Sequence, residues 1–166
     1  TTKTNTGDQM KKVLATFLFL AITPIAAFGG GHGIKWEGHG FSQVVDVKQI
    51  KGESGMIVSQ KTSDFWDWPI VPEGFPAAVS PECSQSIALD QNGNLLAAVN
   101  TCELLDSDGD IAIFTGIIDS TGSGKWQLLT GTGKYADYDG NGTFQTVTQI
   151  SDTQSKYVFS GHGFKK

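Results

Sequence analysis

The sequence predicts an all-β chain: an eight-stranded antiparallel up-and-down β-barrel with a disulfide-bridged hairpin. Three observations carry that expectation. Short runs of alternating apolar and polar residues recur at even spacing, separated by turns rich in glycine, asparagine and aspartate, and no window beyond the N-terminal segment shows helical periodicity. Glycine is abundant, at 21 of 166 residues, and methionine is scarce, a balance that suits many strands and turns better than long helices. The tetrapeptide Gly38-His-Gly-Phe41 in the first run recurs as Gly161-His-Gly-Phe164 in the last. A closed barrel makes those two strands neighbours and leaves no free edge.

Ahead of the strands, residues 1–9 read as an extension and residues 10–29 as a signal peptide. Met10-Lys-Lys12 gives a positive start, and Val13–Ile22 is an apolar run too short to span a bilayer comfortably. Pro24 and the small residues Ala26-Ala27-Phe28-Gly29 then offer cleavage after Gly29 or after Ala27. The expectation is a secreted or periplasmic protein without a membrane span in its mature chain, with residues 30–166 as one barrel domain.

In order, Ile34–Ile50 is the first strand, with Phe41, Gln43, Val45 and Val47 alternating with Ser42, Val44, Asp46 and Lys48. Lys51–Gly55 turns the chain, and Met56–Thr62 is the second strand. Ser63–Pro81 carries Phe65, Trp66, Trp68 and Phe75 among several prolines. A connection of that length and composition reads as a lid, a binding loop or a plug. Strands three and four flank Asn92-Gly93, a hairpin signal that as a two-residue turn places Cys83 directly opposite Cys102. Counting outward puts the pair at a hydrogen-bonded site with Cα atoms roughly 5.5 Å apart, within disulfide reach. Closing that loop contributes on the order of 3 kcal/mol in the chain-entropy account, and an even pair of cysteines fits export. Asp106–Asp110 turns into Ile111–Ile118, the fifth strand, and Asp119–Gly124 into Lys125–Thr130, the sixth. Gly131–Thr143, with four glycines, reads as a sharply folded corner. Thr143–Ile150 and Lys156–Gly161 are strands seven and eight.

The order of motifs from Cys102 onward resembles a family. Cys102-Glu-Leu-Leu-Asp106-Ser-Asp108-Gly109-Asp110, a strand bearing Trp126, Leu129-Thr-Gly-Thr-Gly-Lys-Tyr135 and Gly140-Asn-Gly-Thr-Phe144 look like the bacterial allene-oxide-cyclase-barrel-like proteins. These are exported relatives of the plant cyclase and dirigent barrels. The resemblance implies an eight-stranded antiparallel barrel with a tapering interior. It implies no activity, because the plant cyclase's active-site residues have no position-by-position counterparts here and such a fold hosts binders and cyclases alike.

Composition and motifs exclude several function classes. The formal net charge is −5 and every basic residue is a lysine, which argues against nucleic-acid partners, where arginine contacts recur. Gly131-Thr-Gly-Lys-Tyr-Ala136 matches a dinucleotide pattern only in letters, lacking the helix and βαβ unit it needs. There is no Gly-x-Ser-x-Gly elbow, and neither cysteine is expected to be free as a nucleophile.

Two sets of residues have metal-ligand chemistry. Asp106, Asp108 and Asp110 have the spacing of a calcium loop, but the twelfth position is Ile117 rather than glutamate, and an Asp108-Gly109 hairpin turn accounts for the same letters. The expectation is no cofactor, with weak calcium binding by this acid cluster as the alternative. His39 and His162 approach each other if the first and last strands pair, with His32 on a preceding arm, an arrangement open to zinc or copper. The alternative is solvent-facing histidines at the barrel's end.

The interior is the more informative place. In the cysteine hairpin, Cys83, Gln85, Ile87, Leu89, Leu96, Ala98, Asn100 and Cys102 share one mainly apolar face. Turned inward, it sets Gln85 opposite Asn100, and buried amides must find partners. They bond each other or hold a ligand in an otherwise apolar cavity. Phe65, Trp66 and Trp68 then form either the mouth of that cavity or a plug. The leading expectation is a non-catalytic exported barrel that binds a small hydrophobic or amphipathic molecule, or a protein partner through its aromatic loop. A cyclase or isomerase acting on a hydrophobic substrate is one alternative, and a structural or self-assembling, oligomeric surface protein is another. A cavity below about 100 Å³ would argue against both ligand readings, since small-molecule pockets start near 300 Å³.

Overall fold

Pairing of the first long strand with both the second and the last closes the sheet. The computed structural model describes residues 33–166. The extension, the signal peptide, the first residues of the barrel domain and His32 lie outside the described residues. The strands are β1 (Ile34–Lys51), β2 (Gly55–Asp67), β3 (Ala78–Val79), β4 (Glu82–Asp90), β5 (Leu95–Leu105), β6 (Ile111–Ile118), β7 (Gly124–Gly131), β8 (Tyr138–Ser151) and β9 (Gln154–Lys165). Their order is β1-β9-β8-β7-β6-β5-β4-β2-β3, with β1 also paired to β2. Eight antiparallel strands form the closed barrel, and two-residue β3 adds to the end of β2 opposite Trp66 and Asp67. The two Gly-His-Gly-Phe copies sit on adjoining strands but staggered, Gly38 facing Phe159 and Gly161 facing Trp36.

The barrel tapers. At one end Trp36, Leu104, Leu128 and Tyr135 are buried, with Phe75 wedged against Trp36 and Tyr135 at ring separations of 5.4 and 5.5 Å. The other end carries the four hairpins that join β1 to β2, β4 to β5, β6 to β7 and β8 to β9.

β2, β8 and β9 reach further than the sequence predicts, the last spanning Gln154–Lys165 instead of Lys156–Gly161. β2 continues to Asp67 instead of ending at Thr62, because Phe65 still pairs with Phe41 and Asp67 with His39. The irregular connection begins only around Pro69, so Phe65 and Trp66 are strand residues on opposite faces. β8 begins at Tyr138 rather than Thr143, so half of the glycine corner is strand. Its glycines there make room rather than turns. A Cβ on Gly142 would lie 2.7 Å from the Trp126 indole nitrogen and 2.0 Å from the Ser160 carbonyl oxygen. The sharp part of the corner is a single 3-10 turn, Gly133–Tyr135.

Three hairpins use one turn design. Asp90, Asp106 and Asp119 each turn a side-chain oxygen back onto the N–H groups two and four residues on. Those N–H groups belong to Asn92 and Asn94 (both 2.8 Å), Asp108 and Asp110 (2.9 and 3.0 Å), and Thr121 and Ser123 (2.8 and 3.3 Å). The glycine three residues on takes the left-handed conformation, with φ of +82° at Gly93, +86° at Gly109 and +81° at Gly122. Asn92-Gly93 and Asp108-Gly109 are therefore parts of longer Asp-x-x-Gly-x turns, not two-residue hairpin turns. The cysteine register survives, because a bulge at Leu96 offsets the longer turn and returns Cys83 to the position opposite Cys102. Leu96, the unpaired bulge residue, is 54% exposed and leaves the inward face. The disulfide forms, and its Cα separation of 4.0 Å is the narrow spacing of a non-hydrogen-bonded pair rather than the wide one expected.

Candidate functional site

Inward-facing side chains of the eight strands enclose a cavity of about 490 Å³ that opens at the hairpin end. The tapered end holds only about 10 Å³ of further space, between Trp36, Trp68 and Phe75. Depth sorts the lining. Near the mouth the wall is aliphatic on β2, β4, β5 and β6, from Val58, Ile87, Leu89, Ala98 and Ile118, and polar on the β8–β9 side, from Thr146, Gln149 and Gln154; toward the floor it is aromatic, from Trp36, Trp66, Phe114, Trp126 and Phe159. Trp36 stacks on Trp126 at 5.9 Å and 13°, and Trp66 meets Phe114 edge-on at 5.4 Å.

Glycines on neighbouring strands let these rings lie back against the wall. Tyr157 sits over Gly40, where a Cβ would fall 2.1 Å from the ring, and Phe144 covers Gly124 at 2.5 Å. Rings laid flat in this way line the lumen without filling it.

Between the two layers stands a polar relay. Asp64 is 5% exposed and accepts from the Ser42 hydroxyl at 2.8 Å and the Tyr157 hydroxyl at 2.6 Å, one on each carboxylate oxygen. The Trp66 indole N–H reaches the Tyr157 oxygen in turn. An indole N–H can only donate, so Tyr157 accepts from Trp66 and must spend its own proton on Asp64. Burial, followed by the charge of Asp64 and the hydrogen bond to it, pushes the Tyr157 phenol well above its ordinary range.

A second polar group lies nearer the mouth. Gln85 and Asn100 face each other and line the cavity, as the hairpin register requires. They do not bond each other. Gln85 accepts from the Gln60 side chain of β2 at 2.7 Å. The Asn100 oxygen tucks against Gly116, where a Cβ would lie 2.1 Å away, and finds no hydrogen-bond donor.

Of the aromatic residues singled out in the sequence, Trp66 and Trp68 line the cavity, and Trp68 packs edge-on to Phe159 at 6.1 Å. They sit at the tapered end, opposite the opening, so with Phe75 they form the floor and not the mouth. Phe65 points outward beside Phe41, 44% and 39% exposed, and takes no part in the lumen. Asp64, Tyr157, Ser42, Gln60, Trp36 and Trp126 were not anticipated. For Asp64 the sequence holds a signal, since Val58, Gln60, Thr62, Asp64 and Trp66 keep one alternation across Ser63, where the predicted connection begins.

The carboxylates of Asp106, Asp108 and Asp110 converge on the Lys134 ammonium at 2.6, 2.8 and 3.0 Å. The lysine occupies the place a cation would take between them. Burial is the largest single influence on Asp106 and works against its charge, but the hydrogen bond from Lys134, those from the Asp110 and Asp108 backbone N–H groups and the lysine's charge together outweigh it and hold Asp106 below its usual carboxylate value. Bonds to the three aspartates likewise outweigh burial and raise Lys134 above its own. His39 bonds Asp67 at 3.1 Å, while His162 lies beside Phe164 at 6.2 Å. On β1, His162 faces Lys35, four residues from His39, or roughly 13 Å along the strand. Pairing of β1 and β9 thus does not bring the two histidines together. Among the described residues no three His, Cys, Asp or Glu side chains group as a metal site.

No protein-family model matches the chain, and no curated protein matches it. Among solved structures, it is similar to the pterocarpan synthase dirigent protein PsPTS1, with 13% identity over 83% of this chain and 98% of that one and a TM-score of 0.50. It is similar also to the pterocarpan synthase dirigent protein GePTS1, with 12% identity over 89% and 99% of the two chains and a TM-score of 0.50. What is shared is the dirigent-type barrel. Among the described residues no helix is long and apolar enough to cross a membrane.

Proposed function

We propose that the barrel is a small-molecule binding protein that holds one mainly apolar ligand in its lumen and orients it without covalent chemistry. The observation that carries this reading is the cavity itself. At about 490 Å³ it falls within the range of roughly 300–1,000 Å³ that small-molecule sites occupy, and it joins apolar walls to a few fixed polar groups, the usual make-up of such sites. The two structural neighbours are named as pterocarpan synthase dirigent proteins, which supports a role in binding or orienting a small molecule. The Cys83–Cys102 disulfide supports an exported protein.

Trp36, Trp66, Trp68 and Trp126 all line the cavity, so ligand entry is read by tryptophan fluorescence and by native mass spectrometry of the purified protein. Ala98→Phe fills the lumen near the mouth and should abolish any binding the unaltered chain shows. Binding unaffected by that substitution would place the ligand elsewhere and end this reading. A cyclase or isomerase is the second reading, favoured by the Asp64–Tyr157 pair, which can hold or pass a proton inside the cavity. Turnover of a bound hydrophobic compound that Asp64→Asn abolishes would establish it.

A further inference from the structure

We propose that the ligand of this lumen is an amine: a small ammonium compound whose positive head sits at Asp64 above the aromatic floor and whose apolar body fills the aliphatic layer toward the mouth. The inference rests on the lumen-binding reading above and adds the chemical class.

Charge in the cavity is of one sign. Asp64, deep in the lumen, and Asp152, at the rim, are its charged lining residues, and no lysine or histidine of the described chain lines it. Among the described residues none forms an ion pair with Asp64, although its carboxylate is nearly fully removed from water. Removing a carboxylate from water is costly unless it is paired and hydrogen-bonded. Ser42 and Tyr157 meet the hydrogen-bond part of that requirement. The relay also fixes the polarity of the site, because Trp66 donates to Tyr157 and Tyr157 to Asp64, so Asp64 Oδ2 is an acceptor. A carboxylate has about four acceptor positions, and two are used here. What the site lacks is a positive donor, and an ammonium group supplies both charge and proton.

The floor fits the same head group. Trp66 follows Asp64 by two residues on the inward face of β2, and Phe159 follows Tyr157 likewise on β9. Trp126 and Phe114 complete an aromatic wall around that depth. Ring faces attract a desolvated cation, and rings around a single anion form a cage that a neutral or anionic head group cannot use as well. The acidic rim residue Asp152 draws a cation toward the mouth. An anionic ligand would meet repulsion at both ends.

The test is isothermal titration of the unaltered protein at neutral pH with three probes of matched shape: naphthylethylamine, naphthylethanol and naphthylacetate. The amine should bind at least about tenfold tighter than the alcohol, the effect of one charge-assisted hydrogen bond, and the acetate weakest of the three. In Asp64→Asn, which keeps the shape and removes the charge, the preference for the amine over the alcohol should disappear. Asp64→Ser removes the same charge with a smaller side chain and should lose that preference too, which keeps the site testable even if Asp64→Asn does not fold. Alcohol binding equal to or tighter than amine binding overturns the amine inference and leaves the lumen reading standing. Survival of the preference in folded Asp64→Asn or Asp64→Ser also overturns the inference. Failure of all three probes to bind counts against the lumen reading and takes this inference with it.

Discussion

Tyr157 lies flat over Gly40 on the adjoining strand and donates its hydroxyl hydrogen to Asp64 at 2.6 Å. One aromatic residue thus sets both the width of the lumen and the acceptor geometry of the buried Asp64 carboxylate. The missing Cβ at residue 40 is what makes the arrangement possible.

Gly40→Ala should therefore act on shape and stability together. The new methyl would overlap the ring and drive it off the wall into the cavity. Overpacking of this kind costs about 1–3 kcal/mol, read by urea unfolding, and ligand capacity should fall even in the fraction that remains folded.

Gly93→Ala isolates backbone strain. At φ +82° with nothing near a Cβ, the substitution meets no steric neighbour, so only the left-handed conformation is penalised. A loss of about 1–2 kcal/mol is expected, with the urea m-value unchanged. A neutral result would mean that the Asp-x-x-Gly-x turn relaxes into another form.

Lys134→Met should leave the buried Asp106 carboxylate without its cation and loosen the turn between β5 and β6 against the 3-10 turn. The melting temperature should drop by several degrees, with the disulfide intact. Acid behaviour checks the cause. Asp106 is held below its ordinary value of 3.8, so its contribution is present above that pH and is lost as the pH falls through the lower folded-state value. Lys134, raised above 10.5, contributes fully below that pH and loses its share as the pH rises through the higher folded-state value. The unaltered protein should lose stability more steeply than Lys134→Met on acidification below pH 3.8.

Replacing Cys83 and Cys102 together by alanine should cost about 3 kcal/mol by the loop-closure argument, measured by denaturant unfolding of both forms in the absence of reductant. Barrel closure does not depend on the bridge, since the β1–β2 and β1–β9 ladders lie elsewhere. Near-native far-ultraviolet circular dichroism is expected to persist.

Local chemistry explains what could be read from the sequence. The strands of the cysteine hairpin were legible because turn residues and alternation fix a register over a short loop, and the bulge at Leu96 happened to offset the longer turn. The repeated Asp-x-x-Gly-x spacing was also visible, though its shared hydrogen-bond pattern needed the backbone. The Asp64–Tyr157 contact joins residues 93 positions apart, and only closure of the barrel brings them together, so no local pattern announces it. Gly140 and Gly142 misled for a different reason. A glycine that yields space to Trp126 is written with the same letter as one that bends a turn, and only the facing residue distinguishes them.

The aromatic floor makes the barrel a cul-de-sac. Anything that enters past the four hairpins must leave by the same route, so an obstacle at the rim slows arrival and escape alike. Substitutions there should change how long a guest stays far more than how tightly it is held at equilibrium, and exchange should follow the breathing of the hairpin tips.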